Sequence, residues 1–226
     1  MGHVPHVYVP GPWARSELEV STETLHHLDR VLRLRRGEPV SYTDGVGVVG
    51  AGRWTGTAIE RGAEEDVAPV AGPTIAVAPP RSIDRARFVV EKLGELGIPR
   101  LVWLATRRGR GRPPRPEKAN AWAIGALEQS RGAWLMEIAG PLAWDELDRP
   151  LVVADPEGHG RDALGTAATI AVGPEGGFEA DELPSDAGRV GLGERILRVE
   201  TAAVVAATCA MLGVPGSPRG RGNRLD

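Results

Sequence analysis

Two glycine-rich segments near the C-terminus carry the residues best suited to chemistry. The first is residues 172–178 (VGPEGGF) and the second is residues 192–202 (LGERILRVETA). Each follows an apolar run typical of a buried strand, and the first precedes an acidic stretch that predicts a helix start. Glycine lets a backbone approach a ligand closely, and open α/β sheets bind ligands at the carboxyl ends of their strands. Either segment alone could equally be a tight turn, whereas the two together indicate a binding site.

Other familiar catalytic motifs fail on inspection. Residues 45–50 match GxGxxG, but they lie in a predicted hairpin that no helix follows, which argues against a dinucleotide site. The sequence has no GxxxxGK phosphate loop, no HExxH pair and no GxSxG elbow. His26 and His27 are adjacent and so do not share a helical face, and Cys209 is the only cysteine. We therefore expect neither an internal disulfide nor a metal site.

Charge is strongly segregated along the chain, although the net charge is only −3. Residues 81–118 carry eleven basic residues against four acids, and residues 137–182 carry eleven acids against two arginines. Of the 27 basic residues, 25 are arginine, whose planar fork of donors suits phosphate. The arginine-rich stretches 30–36 and 107–112 are therefore candidates for contacting a nucleic-acid backbone, the alternative being a solvated face.

Residues 1–68 predict a small β-rich domain. In this prediction residues 6–9 form a short edge strand. Apolar and polar residues alternate in residues 39–43 and 46–59, on either side of an Asp-Gly turn, which is typical of a hairpin. The acidic and then Pro- and Gly-rich stretch 64–73 is the best candidate for a linker.

After residue 73 the apolar pattern changes to continuous runs that alternate with helical stretches. Strands without alternation, interleaved with helices, predict an α/β domain over residues 74–213 whose parallel sheet is covered on both faces. The predicted strands are 74–78, 101–105, 151–154, 170–172 and 190–192, and the predicted helices are 82–97, 119–129 and 199–212. The last helix is apolar on nearly all sides, which suits burial in a core or against a second subunit. We expect the tail, residues 214–226, to be disordered.

The composition is that of a globular protein, with 42% apolar residues in a chain of 226. No apolar run reaches the length of a membrane span, and the first residues lack the basic and apolar regions of a signal peptide. We expect a cytoplasmic protein.

The two glycine-rich segments, taken together, resemble the signature of the SPOUT methyltransferases. The resemblance is closest to the RsmE-type enzymes, which methylate N3 of a uridine in small-subunit (16S) ribosomal RNA. It extends over most of the chain, because residues 26–40 (HHLDRVLRLRRGEPV), 89–98 (VVEKLGELGI) and 126–130 (ALEQS) also look like segments of that family.

The resemblance implies a fold, a cofactor and an assembly. It implies a PUA-like RNA-binding domain at the N-terminus and a C-terminal α/β domain that ends in a trefoil knot, although knots are nearly absent from proteins in general. It also implies S-adenosylmethionine as the cofactor, bound among the knot loops, and a homodimer formed through the knot and the last helix. The substrate would be ribosomal RNA or the small ribosomal subunit.

The family's functional residues can be carried over to matching positions. The cofactor loops map onto Val172, Gly173, Gly176, Gly177, Leu192, Gly193, Ile196 and Leu197. Arg198 is the first candidate for stabilising the charge that develops on the uracil oxygens. The alternative is that Arg198 forms a structural ion pair with Glu200 or Glu175.

Two further residues are candidates near the reaction, and four arginines are candidates for RNA contacts. Glu175 would organise the cofactor loop or act near the substrate, and Thr201 would cap the last helix. The RNA-contacting candidates are Arg33, Arg81, Arg108 and Arg131. The chain departs from the family pattern where it has His6, Gly132 and Met136, so the RNA side of the resemblance is weaker than the cofactor side.

Two other functions remain open at this point. The chain could be a SPOUT methyltransferase that acts on a different RNA, or a noncatalytic RNA-binding or ribosome-assembly protein of the same fold. Both glycine-rich loops are present, which favours an enzyme, because a binding module has no physical need of them.

Overall fold

The computed structural model describes residues 4–158, 160, 162–179 and 181–213. The chain forms two compact units, each assembled from separated stretches of sequence. The first unit consists of residues 1–69, 87–97 and 114–138, and the second of residues 70–86, 98–113 and 139–226. The tail that we predict to be disordered, residues 214–226, lies outside the described residues.

The first unit contains a five-stranded sheet. Its strands, in spatial order, are β1 (His6–Tyr8), β3 (Pro39–Thr43), β4 (Val48–Trp54), β5 (Ala58–Asp66) and β2 (Glu17–Glu19). β1 pairs with β3 in parallel, and the other neighbours are antiparallel. The short helix α1 (Thr22–His26) begins after Ser21, whose hydroxyl accepts a hydrogen bond from Thr24 N at 3.0 Å.

Large aromatic side chains fill the core of this sheet. Tyr42 and Trp54 are fully buried, and Trp13 packs edge-on against Tyr42 with ring centroids 5.1 Å apart. Gly50 lies against the Tyr42 ring so closely that a Cβ there would be 2.2 Å from it. The Tyr42 hydroxyl donates to Glu64 at 2.8 Å, and burial together with this bond raises the pKa of Tyr42 to about 12.

Two longer helices contribute to the first unit. They are α2 (Ile83–Glu95), through its residues 87–95, and α3 (Pro116–Ser130). Gly94 of α2 permits close packing on α3, because a Cβ at that position would lie 2.9 Å from the Cβ of Ala126.

The second unit contains a six-stranded sheet. Its strands, in spatial order, are β11 (Gly188–Val190), β9 (Leu151–Ala154), β10 (Thr169–Val172), β6 (Thr74–Val77), β7 (Arg100–Leu104) and β8 (Glu137–Leu142). The pairings from β11 through β7 are all parallel. The continuous apolar runs are buried as expected, with Ala76, Val102, Val153 and Ala171 in one core cluster.

The last helix, α4 (Val199–Gly213), packs against β6 and β10. Its alanines at 202, 203, 206, 207 and 210 are buried. The structure therefore confirms an α/β fold with a parallel sheet.

Several predictions of local structure need correction. Residues 46–59 form two strands rather than one, because β4 ends at Trp54 and a turn closed by Thr55 and Ala58 leads into β5. Residues 64–66 of the predicted linker belong to β5, where the Glu64 carboxylate pairs with Arg61 at 2.7 Å. The strand predicted at 190–192 lies at 188–190.

No helix in the described part of the chain is long and apolar enough to cross a membrane. The described residues also include no group of His, Cys, Asp or Glu side chains that could hold a metal ion.

Candidate active site

A cavity of about 500 Å³ opens at the carboxyl ends of three neighbouring strands in the second unit. Three loops line it, after β9 (residues 154–157), β10 (residues 172–179) and β11 (residues 192–197), together with the first turn of α4. Parallel strands bring these loops to one edge of the sheet, where α/β folds bind their ligands. Its volume falls in the range of pockets that enclose a nucleoside-sized ligand.

Seven of the eight predicted cofactor residues line this cavity. They are Val172, Gly173, Gly177, Leu192, Gly193, Ile196 and Leu197. The eighth, Gly176, lines a neighbouring cavity that contains four arginines. The structure thus places the two glycine-rich segments, which follow two different strands, around one space.

Two glycines in the loop after β10 are required by its shape. Gly177 has a φ of +67°, a left-handed conformation that glycine adopts without strain. Its N–H donates to the Pro174 carbonyl at 2.9 Å, which closes a tight turn. Gly173 lies against the Phe178 ring, which a Cβ would approach to 2.8 Å. These two glycines therefore let the backbone of the loop lie at the cavity.

The acidic residues after this loop form a turn, and not the helix that the sequence predicts. Glu182 is buried, and its carboxylate accepts hydrogen bonds from Arg107 N at 2.7 Å and Glu179 N at 3.2 Å. Because the carboxylate binds these two backbone donors, it fixes the loop to the segment that follows β7. The described residues from Glu179 to Leu183 accordingly contain only turn structure.

The loop after β9 is a part of the cavity that sequence reasoning missed. Asp155 N donates to the Val190 carbonyl at 2.9 Å, and the Asp155 carboxylate accepts from Glu157 N at 2.9 Å and lies 3.3 Å from Arg189. The available signal was an Asp-Pro pair directly after a buried strand, at the same sheet edge as the other two loops.

The carboxylates of Glu175 and Glu200 share one cation, Arg85. Arg85 Nη1 lies 3.6 Å from Glu175 Oε1, and Arg85 Nε lies 3.5 Å from Glu200 Oε1. Glu200 Oε2 is buried and has no hydrogen-bond partner among the described residues. Nothing in the sequence pattern pointed to Arg85.

Arg198 is exposed and makes no ion pair with the described residues. Its carbonyl accepts the first hydrogen bond of α4, from Ala202 N at 2.8 Å. Glu175 and Glu200, the two partners that the alternative interpretation gives to Arg198, pair with Arg85 instead. The Arg198 guanidinium is therefore free of ion pairs within the described part of the chain, and Arg198 is not one of the residues that line the cavity.

Thr201 is the third residue of α4 and exposed. It lies inside the helix and so does not occupy the N-cap position that the sequence suggested for it.

The four predicted RNA-contacting arginines fall into two groups. Arg81 and Arg108 line the neighbouring cavity of the second unit, together with Arg107 and Arg110. Arg33 and Arg131 belong to the first unit, and both are exposed residues with positive φ. Arg131 donates to the Val4 carbonyl through its guanidinium.

Two comparisons connect the chain to known sequences. A family model described as an RNA methyltransferase domain matches residues 69–211. The chain is 29% identical over 234 aligned positions to ribosomal RNA small subunit methyltransferase E from Synechocystis, covering 88% of this chain and 74% of that protein.

Solved structures share the fold over nearly the full chain. A structure described as a probable rRNA-methyltransferase from Porphyromonas gingivalis has a TM-score of 0.77 at 27% identity, covering 91% of this chain and 96% of its own. Ribosomal RNA small subunit methyltransferase E from Neisseria gonorrhoeae, bound to S-adenosylmethionine, has a TM-score of 0.80 at 22% identity, covering 94% and 98%.

Proposed function

Because this chain belongs to the RNA methyltransferase domain family, whose model matches residues 69–211, we propose that it methylates ribosomal RNA with S-adenosylmethionine. We propose N3 of a uridine in small-subunit (16S) ribosomal RNA as the acceptor. The observation that carries the proposal is the cavity that the loops after β9, β10 and β11 form at one sheet edge. The small-subunit methyltransferase that the chain resembles over 88% of its length supports this choice of RNA.

The cavity fits S-adenosylmethionine in size and in charge. Its lining combines apolar side chains, among them Val172, Leu183 and Leu197, with four carboxylates and two arginines. This excess of acids suits a ligand that carries a sulfonium and an ammonium group. Val172, Gly173, Gly177, Leu192, Gly193, Ile196 and Leu197 would hold the cofactor, with Gly176 in the same loop.

The cofactor, when bound, supplies an electrophilic methyl group. The remaining work of the chain is to hold the uracil ring in line with that methyl and to stabilise the charge that N3 deprotonation leaves on the uracil oxygens. Arg198 is the exposed cation at the start of α4 with no ion-pair partner among the described residues, so we assign the charge stabilisation to it. Glu175, held by Arg85, keeps the cofactor loop in place.

RNA contacts come from both units in this proposal. Residues 1–68 form a PUA-like domain, and residues 74–213 form a SPOUT domain that ends in a trefoil knot. Arg33 of the PUA-like domain would contact the RNA, and so would Arg81, Arg108 and Arg131 of the SPOUT domain. Charge-assisted bonds from arginine to phosphate hold RNA in register without reading its sequence.

We further propose a cytoplasmic homodimer that is formed through the knot and the last helix. Two large apolar side chains support an interface there: Ile196 is 87% exposed in the loop that precedes α4, and Leu212 is 81% exposed near the end of α4. A second copy of the chain packed on these two positions would remove both side chains from water.

The deciding experiment is methylation of small ribosomal subunits taken from cells that lack this chain. The subunits are incubated with the protein and S-adenosylmethionine, and the ribosomal RNA is digested to nucleosides and analysed by mass spectrometry. We expect 3-methyluridine to appear only when protein, cofactor and small subunits are all present. Methylation of large subunits or transfer RNA instead would reassign the substrate, and cofactor binding without methyl transfer to any RNA would overturn the enzyme assignment.

A further inference from the structure

Beside the cofactor cavity lies a second cavity of about 520 Å³ that is rich in arginine. Arg81, Arg107, Arg108 and Arg110 line it, together with Glu175, Gly176 and Glu179. Glu175 and Glu179 line the cofactor cavity as well. The two cavities therefore share one wall, which is the loop after β10.

The four arginines differ in how they are held. Arg107 lies 2.7 Å from Asp181 and 3.3 Å from Glu179, and these carboxylates raise the pKa of Arg107 while Arg107 lowers that of Asp181. Arg81 and Arg110 are exposed and form no ion pair with any residue that the structure describes. The cavity thus offers cations that no carboxylate neutralises.

Arg108 makes two contacts, one on each side of its guanidinium. Arg108 Nη1 donates to the carbonyl oxygen of Gly176 at 3.1 Å, and Arg108 Nε lies 3.6 Å from Glu179 Oε1. Half of the Arg108 side chain is exposed, so this loose pair with Glu179 is weak. The Gly176 bond ties the arginine directly to the backbone of the cofactor loop.

We propose that this cavity binds a phosphate of the acceptor RNA and that Arg108 couples RNA binding to cofactor binding. The inference rests on the proposed function. The phosphate bonds to Arg81, Arg108 and Arg110 and replaces Glu179 at Arg108, since a phosphate offers more acceptor oxygens than the single distant carboxylate oxygen. Glu179 keeps its contact with Arg107, so no carboxylate is left unpaired. Arg108, once fixed by the phosphate, holds Gly176 and the loop that lines the cofactor cavity.

The coupling between RNA binding and cofactor binding is positive, and it is reciprocal. A loop that RNA has already ordered costs the cofactor less to bind, so RNA raises cofactor affinity and the cofactor raises RNA affinity by the same factor. Coupling between sites of this kind is typically about fivefold or more. Arg110 contacts the phosphate but has no bond to the cofactor loop, so it contributes to RNA affinity and not to the coupling.

The test measures the affinity for S-adenosylhomocysteine, which cannot react, with and without unmethylated small ribosomal subunits. Equilibrium dialysis at low salt gives the ratio of the two affinities for the wild type, Arg108→Ala and Arg110→Ala. We expect both variants to bind subunits more weakly. The slope of log affinity against log salt concentration should become less steep by about one. Arg110→Ala should keep the wild-type ratio, whereas the ratio for Arg108→Ala should fall to one.

Other outcomes contradict the proposal in distinguishable ways. If the wild type methylates small subunits but shows no ratio above one, the coupling is wrong and the proposed function stands. If both variants lose the ratio, or neither does, Arg108 is not the link. If the wild type binds subunits but methylates none, the proposed function itself has failed. Arg15→Ala, which removes an exposed arginine paired with Glu19 in the first unit, should change neither the ratio nor the salt slope.

Discussion

Arg85 Nε lies 3.5 Å from Glu200 Oε1, a carboxylate in the first turn of α4 whose side chain is only 12% exposed. The same guanidinium lies 3.6 Å from Glu175 in the loop after β10. One cation therefore links the loop after β10 to the helix whose N-terminus follows Arg198. Arg85 thus forms an ion pair with one oxygen of Glu200, so neither carboxylate needs Arg198 as its partner.

Arg85→Ala should destabilise the protein and weaken cofactor binding. The substitution leaves the largely buried Glu200 carboxylate without a cation, which costs about 1 to 3 kcal/mol, and it frees Glu175. Urea unfolding gives the stability, and calorimetric titration with S-adenosylhomocysteine gives the affinity. Arg87→Ala is the matched control on the same helix, because it removes an exposed pair with Glu91 and should change stability by less than about 1 kcal/mol. Equal effects of the two variants would show that Arg85 is only a surface charge.

Arg198→Ala should lower turnover at least tenfold, a barrier increase of about 1.4 kcal/mol. The affinity for S-adenosylmethionine should stay nearly unchanged, because the guanidinium acts on charge that develops on the uracil and not on the cofactor. Single-turnover rates and a separate binding titration distinguish these effects. Arg198→Lys should recover part of the rate, since it keeps the charge. If Arg198→Ala turns over at the wild-type rate, another cation stabilises the uracil oxygens.

Gly177→Ala should weaken cofactor binding without unfolding the protein. The φ of +67° at Gly177 costs an alanine about 1 to 2 kcal/mol, and the loop can relieve that strain by moving away from the cavity. Titration with S-adenosylhomocysteine should show a several-fold loss of affinity. Gly125→Ala on α3 is the control, because a Cβ there meets no other atom within 4 Å and alanine favours a helix by up to about 1 kcal/mol. An unchanged affinity in Gly177→Ala would mean that the turn does not shape the cofactor site.

The wild-type protein should have the mass of a dimer in solution. Light scattering coupled to gel filtration should give twice the chain mass of 24.0 kDa. Leu212→Glu places a charge on an exposed apolar position of α4 and should shift the mass toward that of one chain. Val46→Glu, at a position of the first unit that is 65% exposed, should leave the dimer intact. A single-chain mass for the wild type at working concentration would contradict the dimer.

The sequence predicts the cavity well because its determinants are local. A buried apolar run followed by glycines describes a strand and the loop after it, and parallel strands bring such loops together. The contacts of Arg85 and Arg108 could not be predicted in this way, because each joins residues that lie 68 to 115 positions apart in the sequence.

Two of the wrong local predictions have a common physical cause, which is a tertiary contact that overrides local preference. Glu64 looked like part of an acidic linker, yet the Tyr42 hydroxyl and Arg61 hold it in β5. Glu182 looked like the start of a helix, yet the two backbone donors that it binds fix it in a turn. β8 was missed because its sequence, EIAGPL, contains Gly140 and Pro141 and shows neither alternation nor a continuous apolar run.

His6 makes the stability of the protein dependent on pH. It is 6% exposed, its Nε2 donates to the Gly132 carbonyl at 3.1 Å, and its Nδ1 lies 2.9 Å from the Ser41 hydroxyl. Burial holds the pKa of His6 below its ordinary value of 6.5, and Arg131 lowers it further. The folded protein therefore binds a proton at His6 less readily than the unfolded chain does.

The free energy of unfolding should fall as the pH drops below about 6.5, because the unfolded chain then takes up a proton that folded His6 resists. His6→Gln, which keeps a donor for Gly132 and does not titrate, should remove this loss.

Glu128 has the opposite pH dependence. Burial raises the pKa of its carboxyl, so the stability that this group contributes is lost as the pH rises above about 4.5. Urea unfolding at pH 5, 6 and 7 of the wild type, His6→Gln and Glu128→Gln separates the two groups. If His6→Gln unfolds with the same pH dependence as the wild type, the low-pH loss comes from other groups.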